Sequence, residues 1–117
     1  MSGMNIYNQR DIVLVNFPFS NLTNQKLRPV LVLSNDNYNQ HSMDILVCGI
    51  TANLKPTPFS IIVDIIDVEK KDTLKNKSKI RVDTIASLEQ SLVIKKIAIL
   101  KTSIFKQVVY MINELIK

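Results

Sequence analysis

Two short stretches of this 117-residue chain carry side chains suited to phosphate chemistry: Lys26-Leu27-Arg28-Pro29 and Arg81-Val82-Asp83. A proline pushes the residue before it into extended backbone, so Arg28 projects from the mouth of the apolar run that follows. There its guanidinium is either a fork of donors matched to a phosphate or a solvated arginine beside a loop. In the second stretch, strand alternation sets Arg81 and Asp83 on one face and Ile80 and Val82 on the other. The two charges either orient each other for a reaction or form a half-exposed ion pair worth about 0–1 kcal/mol. Thr51 ends another apolar run on the face of Gly49, where a missing side chain leaves room for a ligand or a backbone to approach.

Other chemistries are poorly supplied. His41 is the one histidine, which excludes a two-histidine acid–base pair within a chain; in its polar surroundings it reads as an exposed side chain. One histidine, one cysteine and scattered carboxylates give no metal-ligand spacing, so no metal and no cofactor are expected. Cys48 lies within an apolar run and reads as a buried, inert thiol. Two glycines in the whole chain argue against a Gly-rich nucleotide loop. An enzyme made from this sequence works with arginine, aspartate, threonine and backbone groups.

The elements that must position these residues are short apolar runs rich in β-branched side chains. Residues 11–17 read as a first strand stopped by Pro18, 18–28 as a polar loop, 29–34 as a second strand and 44–51 as a third. The polar stretch 35–42 has room for a turn of helix, and Pro56 and Pro58 keep 52–58 irregular. From Phe59 to Val68 the apolar residues alternate, with Phe59, Ile61, Val63 and Ile65 on one face. A charged turn over 69–79, a strand over 79–88 and a short strand over 95–100 follow. Ile104, Phe105, Val108, Val109, Ile112, Leu115 and Ile116 then recur at three- and four-residue spacing, the stripe of an amphipathic helix that Thr102 or Ser103 can cap. The pattern implies a mainly β chain of about five to seven strands, bent into a small barrel, with one C-terminal helix packed on it.

The length suits a single domain over 1–117, with residues 1–8 as a flexible N-terminal segment. The opening residues lack the apolar core of a secretory signal, and the longest apolar runs are too short to span a bilayer, so a cytoplasmic protein is expected. With 15 Lys and Arg against 10 Asp and Glu, the net charge of +5 is compatible with a polyanionic partner.

Taken in order, several segments resemble the MazF/PemK/Kid toxins of type II toxin–antitoxin systems. They are Asp11-Ile-Val-Leu-Val-Asn-Phe17, Lys26-Leu-Arg-Pro-Val-Leu-Val-Leu-Ser34, Ile50-Thr51, Ser78-Lys-Ile-Arg-Val-Asp83 and the terminal helix. The resemblance runs from about residue 9 onward, and its combination of motifs is more specific than any one of them. It implies an SH3-like barrel, a homodimer, and a metal-independent endoribonuclease (an mRNA interferase) that cuts single-stranded RNA at short motifs and is neutralised by an antitoxin. The family's catalytic arginine falls on Arg28 and its catalytic hydroxyl on Thr51; the Arg-x-Asp of the Kid branch falls on Arg81 and Asp83. Gln25, Lys26, Asn53 and Lys55 are then candidates for substrate contacts. The chain departs from the pattern where Gly usually precedes the first strand's acidic residue, here Arg10, and where Ser commonly follows Ile-Thr, here Ala52. Two other readings stand beside this one: a same-fold gyrase poison resembling the CcdB proteins, and a non-catalytic RNA- or peptide-binding barrel.

Overall fold

Apolar alternation pairs the strands into one antiparallel sheet, seen in a computed structural model that describes residues 6–17, 26–69 and 76–117. Its strands are β1 (Asp11–Phe17), β2 (Lys26–Val32), β3 (Asp44–Thr51), β4 (Ser60–Val63), β5 (Val68–Glu69), β6 (Ser78–Glu89) and β7 (Val93–Leu100). They lie in the order β4-β6-β3-β2-β1-β7-β5. The sheet curls into a half-barrel, so that the edge strands β4 and β5 deliver Val63 and Val68 to the same core. A short helix α1 (Asp36–Gln40) joins β2 to β3, and α2 (Thr102–Ile116) ends the chain.

Both faces of the central strands are covered, which is why their runs are apolar throughout. On one face Ile12, Leu31, Cys48, Ile80, Val82 and Leu100 meet Phe105 and Val108 of α2. On the other, Val13, Val15, Val30, Val32, Ile45, Val47 and Leu88 form a second cluster against Tyr7 and Val93. Burial pushes the Cys48 thiol up to about 12, so it stays protonated and is a packing residue. Asn39 and Gln90 are buried between elements with their amides committed. Asn39 donates to the carbonyls of Tyr7 and Ser34, and Gln90 donates to those of Asn39 and Ser42 while accepting from the Tyr7 N–H. Among the described residues no buried side-chain nitrogen or oxygen lacks a partner.

Several boundaries differ from the sequence pattern, among them β6 and β7, which start one and two residues earlier than expected, at Ser78 and Val93. β2 begins at Lys26 instead of Pro29, because β1 pairs with it as far as Phe17↔Lys26 and supplies polar residues with ladder partners. It ends at Val32, where the N–H groups of Leu33 and Ser34 both turn to the Leu46 carbonyl. The run 59–68 is broken by Asp64 and Asp67, whose carboxylates cap a 3₁₀ turn over Ile65–Asp67. Ile65 and Ile66 are therefore 57% and 71% exposed, and Ile65 does not continue the buried face. Finally, neither Thr102 nor Ser103 caps α2. The cap position is Lys101, still extended and held by its N–H to the Asp67 carbonyl at 2.9 Å, with no side-chain cap. The expected charged turn over 69–79 lies largely outside the described residues, and its end, Ser78 and Lys79, is already strand.

Arg10 explains the departure from glycine ahead of β1. Its φ is 79°, a left-handed conformation that costs a residue with a Cβ roughly 1 kcal/mol. In that conformation its N–H donates to the Val32 carbonyl and its carbonyl accepts from the Leu100 N–H, tying β2 to β7. Its guanidinium adds a bond of 2.8 Å to the Leu100 carbonyl. Next to it Asp11 is buried, accepting the Asn8 N–H and lying 3.6 Å from Lys96. Burial raises the Asp11 carboxyl above the ordinary aspartate value, and those two contacts pull it down. Arg10→Ala should lose the guanidinium bond and keep the strained backbone, whereas Arg10→Gly loses the bond and relieves the strain. In denaturant titrations the glycine variant is expected to be about 1 kcal/mol more stable than the alanine variant; an alanine variant of equal or greater stability would show that the left-handed turn carries no strain.

Candidate functional site

β2 and β3 run together for only part of their length. Their ladder spans Val30↔Gly49 to Val32↔Val47, while β2 continues to pair with β1 down to Lys26. Pro29, at the point of parting, contributes no N–H to any ladder. Where the strands separate, a cavity of about 540 Å³ opens, floored by Val30, Val47, Gly49 and Ala86.

On the other flank β3 pairs with β6, Gly49 opposite Arg81 and Thr51 opposite Lys79. Directly opposed residues of an antiparallel pair share a face. Alternation places Arg28 with Val30 on β2 and Thr51 with Gly49 on β3, so these side chains converge from three strands. Arg28, Thr51, Asn53, Lys79 and Arg81 all line the cavity; among the described residues its lining has three cations and no acid.

β6 then bulges. Between the rungs Gly49↔Arg81 and Cys48↔Ile85, β3 advances one residue and β6 advances four. The bulge carries Asp83, which lies 3.5 Å from the Arg81 guanidinium but does not line the cavity. It also carries Thr84, whose methyl lies 3.4 Å from where a Cβ on Gly49 would stand. The space over Gly49 is thus approached by a threonine side chain, not by a backbone.

Thr51 is half-buried, and its hydroxyl oxygen accepts the Asn53 N–H at 3.2 Å. The Asn53 side-chain oxygen in turn accepts the Lys55 N–H at 3.0 Å. These two side-chain-to-backbone bonds shape the irregular segment 52–58 without regular structure. They also leave the Thr51 hydroxyl its own proton to donate.

The structure therefore brings together Arg28, Thr51, Arg81 and Asn53, with Asp83 behind Arg81. Lys55 is exposed and meets the site through its carbonyl, which accepts the Lys79 ammonium at 2.7 Å. Gln25 lies outside the described residues, and Lys26 opens β2 opposite Phe17. Sequence reasoning missed Lys79, Thr57 and Thr84 as cavity residues. The signal for Lys79 was available, since the alternation that joins Arg81 to Asp83 also joins Lys79 to Arg81; the bulge that delivers Thr84 left no such signal.

A family model described as a PemK-like, MazF-like toxin of a type II toxin–antitoxin system matches residues 8–116. Among curated protein sequences none matches the chain. Among solved structures, a MazE–MazF crystal structure from Deinococcus radiodurans is similar at a TM-score of 0.79 and 20% identity, covering 96% of this chain and 97% of that one. MazF from Deinococcus radiodurans gives 0.76 at 22% identity, covering 97% and 98%. An endoribonuclease with its cognate antitoxin from a mycobacterial species gives 0.71 at 12% identity, covering 90% and 89%.

The Arg81 and Asp83 side chains are 45% and 37% exposed, so their pairing adds little to the fold. Asp83→Asn should change the unfolding free energy by less than about 1 kcal/mol. A loss well beyond that in thermal or denaturant unfolding would make the pair a structural support of the bulge.

Proposed function

The chain belongs to the PemK-like, MazF-like toxins of type II toxin–antitoxin systems, and we propose that it is a sequence-specific, metal-independent endoribonuclease acting on single-stranded RNA. The observation that carries this reading is the convergence of Arg28, Thr51 and Arg81 from three strands on one cavity, whose charged lining among the described residues is cationic. Such a site attracts a phosphodiester and offers donors to the charge that grows on it.

The reaction is attack by a ribose 2′-hydroxyl on the adjacent phosphorus. The P–O5′ bond breaks, and the products are a 2′,3′-cyclic phosphate and a 5′-hydroxyl. The pentacoordinate state needs its added negative charge stabilised, the 2′-hydroxyl deprotonated and the 5′-oxygen protonated. Arg28 stabilises the phosphorane oxygens, and the Thr51 hydroxyl, its oxygen already anchored by Asn53, donates to a non-bridging oxygen. Arginine is a poor base, because its pKa exceeds about 12. Asp83 is the candidate base for the 2′-proton, approaching from behind Arg81 instead of from the cavity lining, and Arg81 serves as its partner or as the acid at the leaving oxygen. Asn53 and Lys55 are candidates for phosphate and base contacts beside the cavity, and Gln25 and Lys26 remain candidates for the same role.

A cognate antitoxin is the second partner, consistent with the MazE–MazF complexes among the structural relatives. An acidic segment that folds on binding would fill the same cationic cavity. The toxin is proposed to act in the cytoplasm as a homodimer; no helix among the described residues is long and apolar enough to cross a membrane.

Incubation with a long RNA in EDTA, with the 5′ ends mapped, tests the activity. Cuts at a recurring short motif that leave 5′-hydroxyl ends are expected. Arg28→Ala should lower the rate by about 10²–10³ while remaining folded, the usual effect of removing one oxyanion donor. Near-full cleavage by that variant would end the role of Arg28, and no cleavage by well-folded, antitoxin-free protein would leave a binding barrel or a gyrase poison. Asp83→Asn should abolish single-turnover cleavage; an unchanged rate across pH would remove Asp83 as the base. In competition experiments RNA and antitoxin should exclude each other, and a ternary complex with full activity would show that the antitoxin sits elsewhere.

A further inference from the structure

Lys79 is the least expected side chain of the cavity. It is 3% exposed, and its ammonium donates one hydrogen bond, to the Lys55 carbonyl. Among the described residues it makes no ion pair; the cavity contains no carboxylate, and Asp83, the nearest acid along β6, is paired with Arg81. An ammonium carries three protons, and a neutral carbonyl accepts one of them without cancelling the charge. A buried cation with no counter-charge is costly to maintain, and the cost is lowered when an anion arrives.

Its position says which anion. Lys79 opposes Thr51 directly across the β3–β6 ladder, so the two side chains share a face with Cβ atoms roughly 5 Å apart. Arg81, two residues along β6, and Arg28, across the cavity, complete a cationic lining. Among the described residues, the one hydrogen bond of the Lys79 side chain goes to the irregular segment 52–58, which also carries Asn53.

We infer that Lys79 is a phosphate-binding residue of this cavity, contacting a backbone phosphate of the bound strand and coupling that contact to the segment 52–58. The inference rests on the RNA-cleaving reading above and adds a ground-state binding residue to it. Lys79 touches substrate through a non-bridging oxygen and takes no part in proton transfer. When a phosphate docks, one ammonium N–H keeps donating to the Lys55 carbonyl and another donates to the phosphate oxygen. Strand binding and the conformation of 52–58 thereby become linked.

The test uses an RNA oligonucleotide with 2′-O-methyl groups, which binds but cannot be cleaved, and measures affinity across a range of salt concentrations. Each phosphate neutralised on a single strand contributes about 0.7 to the slope of log affinity against log salt. Lys79→Met should weaken binding and make that slope shallower by about 0.7, while Lys79→Arg, which keeps the charge, should preserve the slope. If the methionine variant does not fold, Lys79→Gln, which keeps a donor but not the charge, gives the same reading. Weaker binding at an unchanged slope would reduce Lys79 to an anchor for 52–58 and overturn the inference. RNA cleavage by the wild type alongside that unchanged slope would leave the proposed activity standing. Failure of the wild type to bind or cut RNA would overturn both.

Discussion

A site exists on this sheet because one ladder stops early. β2 stays bonded to β1 through Lys26 but leaves β3 after Val30 and Gly49. A sheet whose ladders all run to their ends, with both faces packed, has no concavity for a ligand. Here one face is occupied by α2 and the other by the Val13–Val30–Val47 cluster, and the cavity lies where β2 and β3 diverge. Pro29 marks that point. It lacks the N–H a continued ladder would draw on, and it holds Arg28 extended at the rim. Backbone divergence and arginine placement thus share one local cause.

The second determinant is the β6 bulge. By shifting strand phase between Arg81 and Ile85 it keeps Lys79 and Arg81 on the cavity face and brings Thr84 over Gly49. It also holds Asp83 away from the cavity lining, beside Arg81. A carboxylate among the cations would offset the positive field of the lining. Kept one residue back, it steadies a guanidinium while the lining stays cationic.

Rigidity around the site comes from polar groups as much as from the apolar clusters. Thr51 and Asn53 each accept a backbone N–H two residues on, so the segment after β3 is shaped by its own side chains. Asn39 and Gln90 hold Tyr7, α1 and the turn between β6 and β7 together through their side-chain amides. Arg10 takes a left-handed backbone and fastens β2 to β7. These are directional restraints, and they limit sliding of the strands that carry Arg28, Thr51 and Arg81.

The sequence by itself determined the periodic features: a mainly β chain, the C-terminal amphipathic helix, and the faces shared by Thr51 with Gly49 and by Arg81 with Asp83. Periodicity is a local property, set by the pleat and the helical turn, and it needs no knowledge of neighbours. The order of its motifs carried the family resemblance. What only the tertiary structure decided was which residues meet. That β2 begins at Lys26 depends on β1, the break in the 59–68 alternation on two carboxylates capping a turn, and the cap of α2 on where β7 ends. Lys79 stands in sequence where a charged turn meets a strand, and the β3–β6 register set it beside Thr51 and buried it. Register and bulges arise from contacts between residues far apart along the chain. A cavity assembled from three strands is therefore invisible to any reading that stays within one.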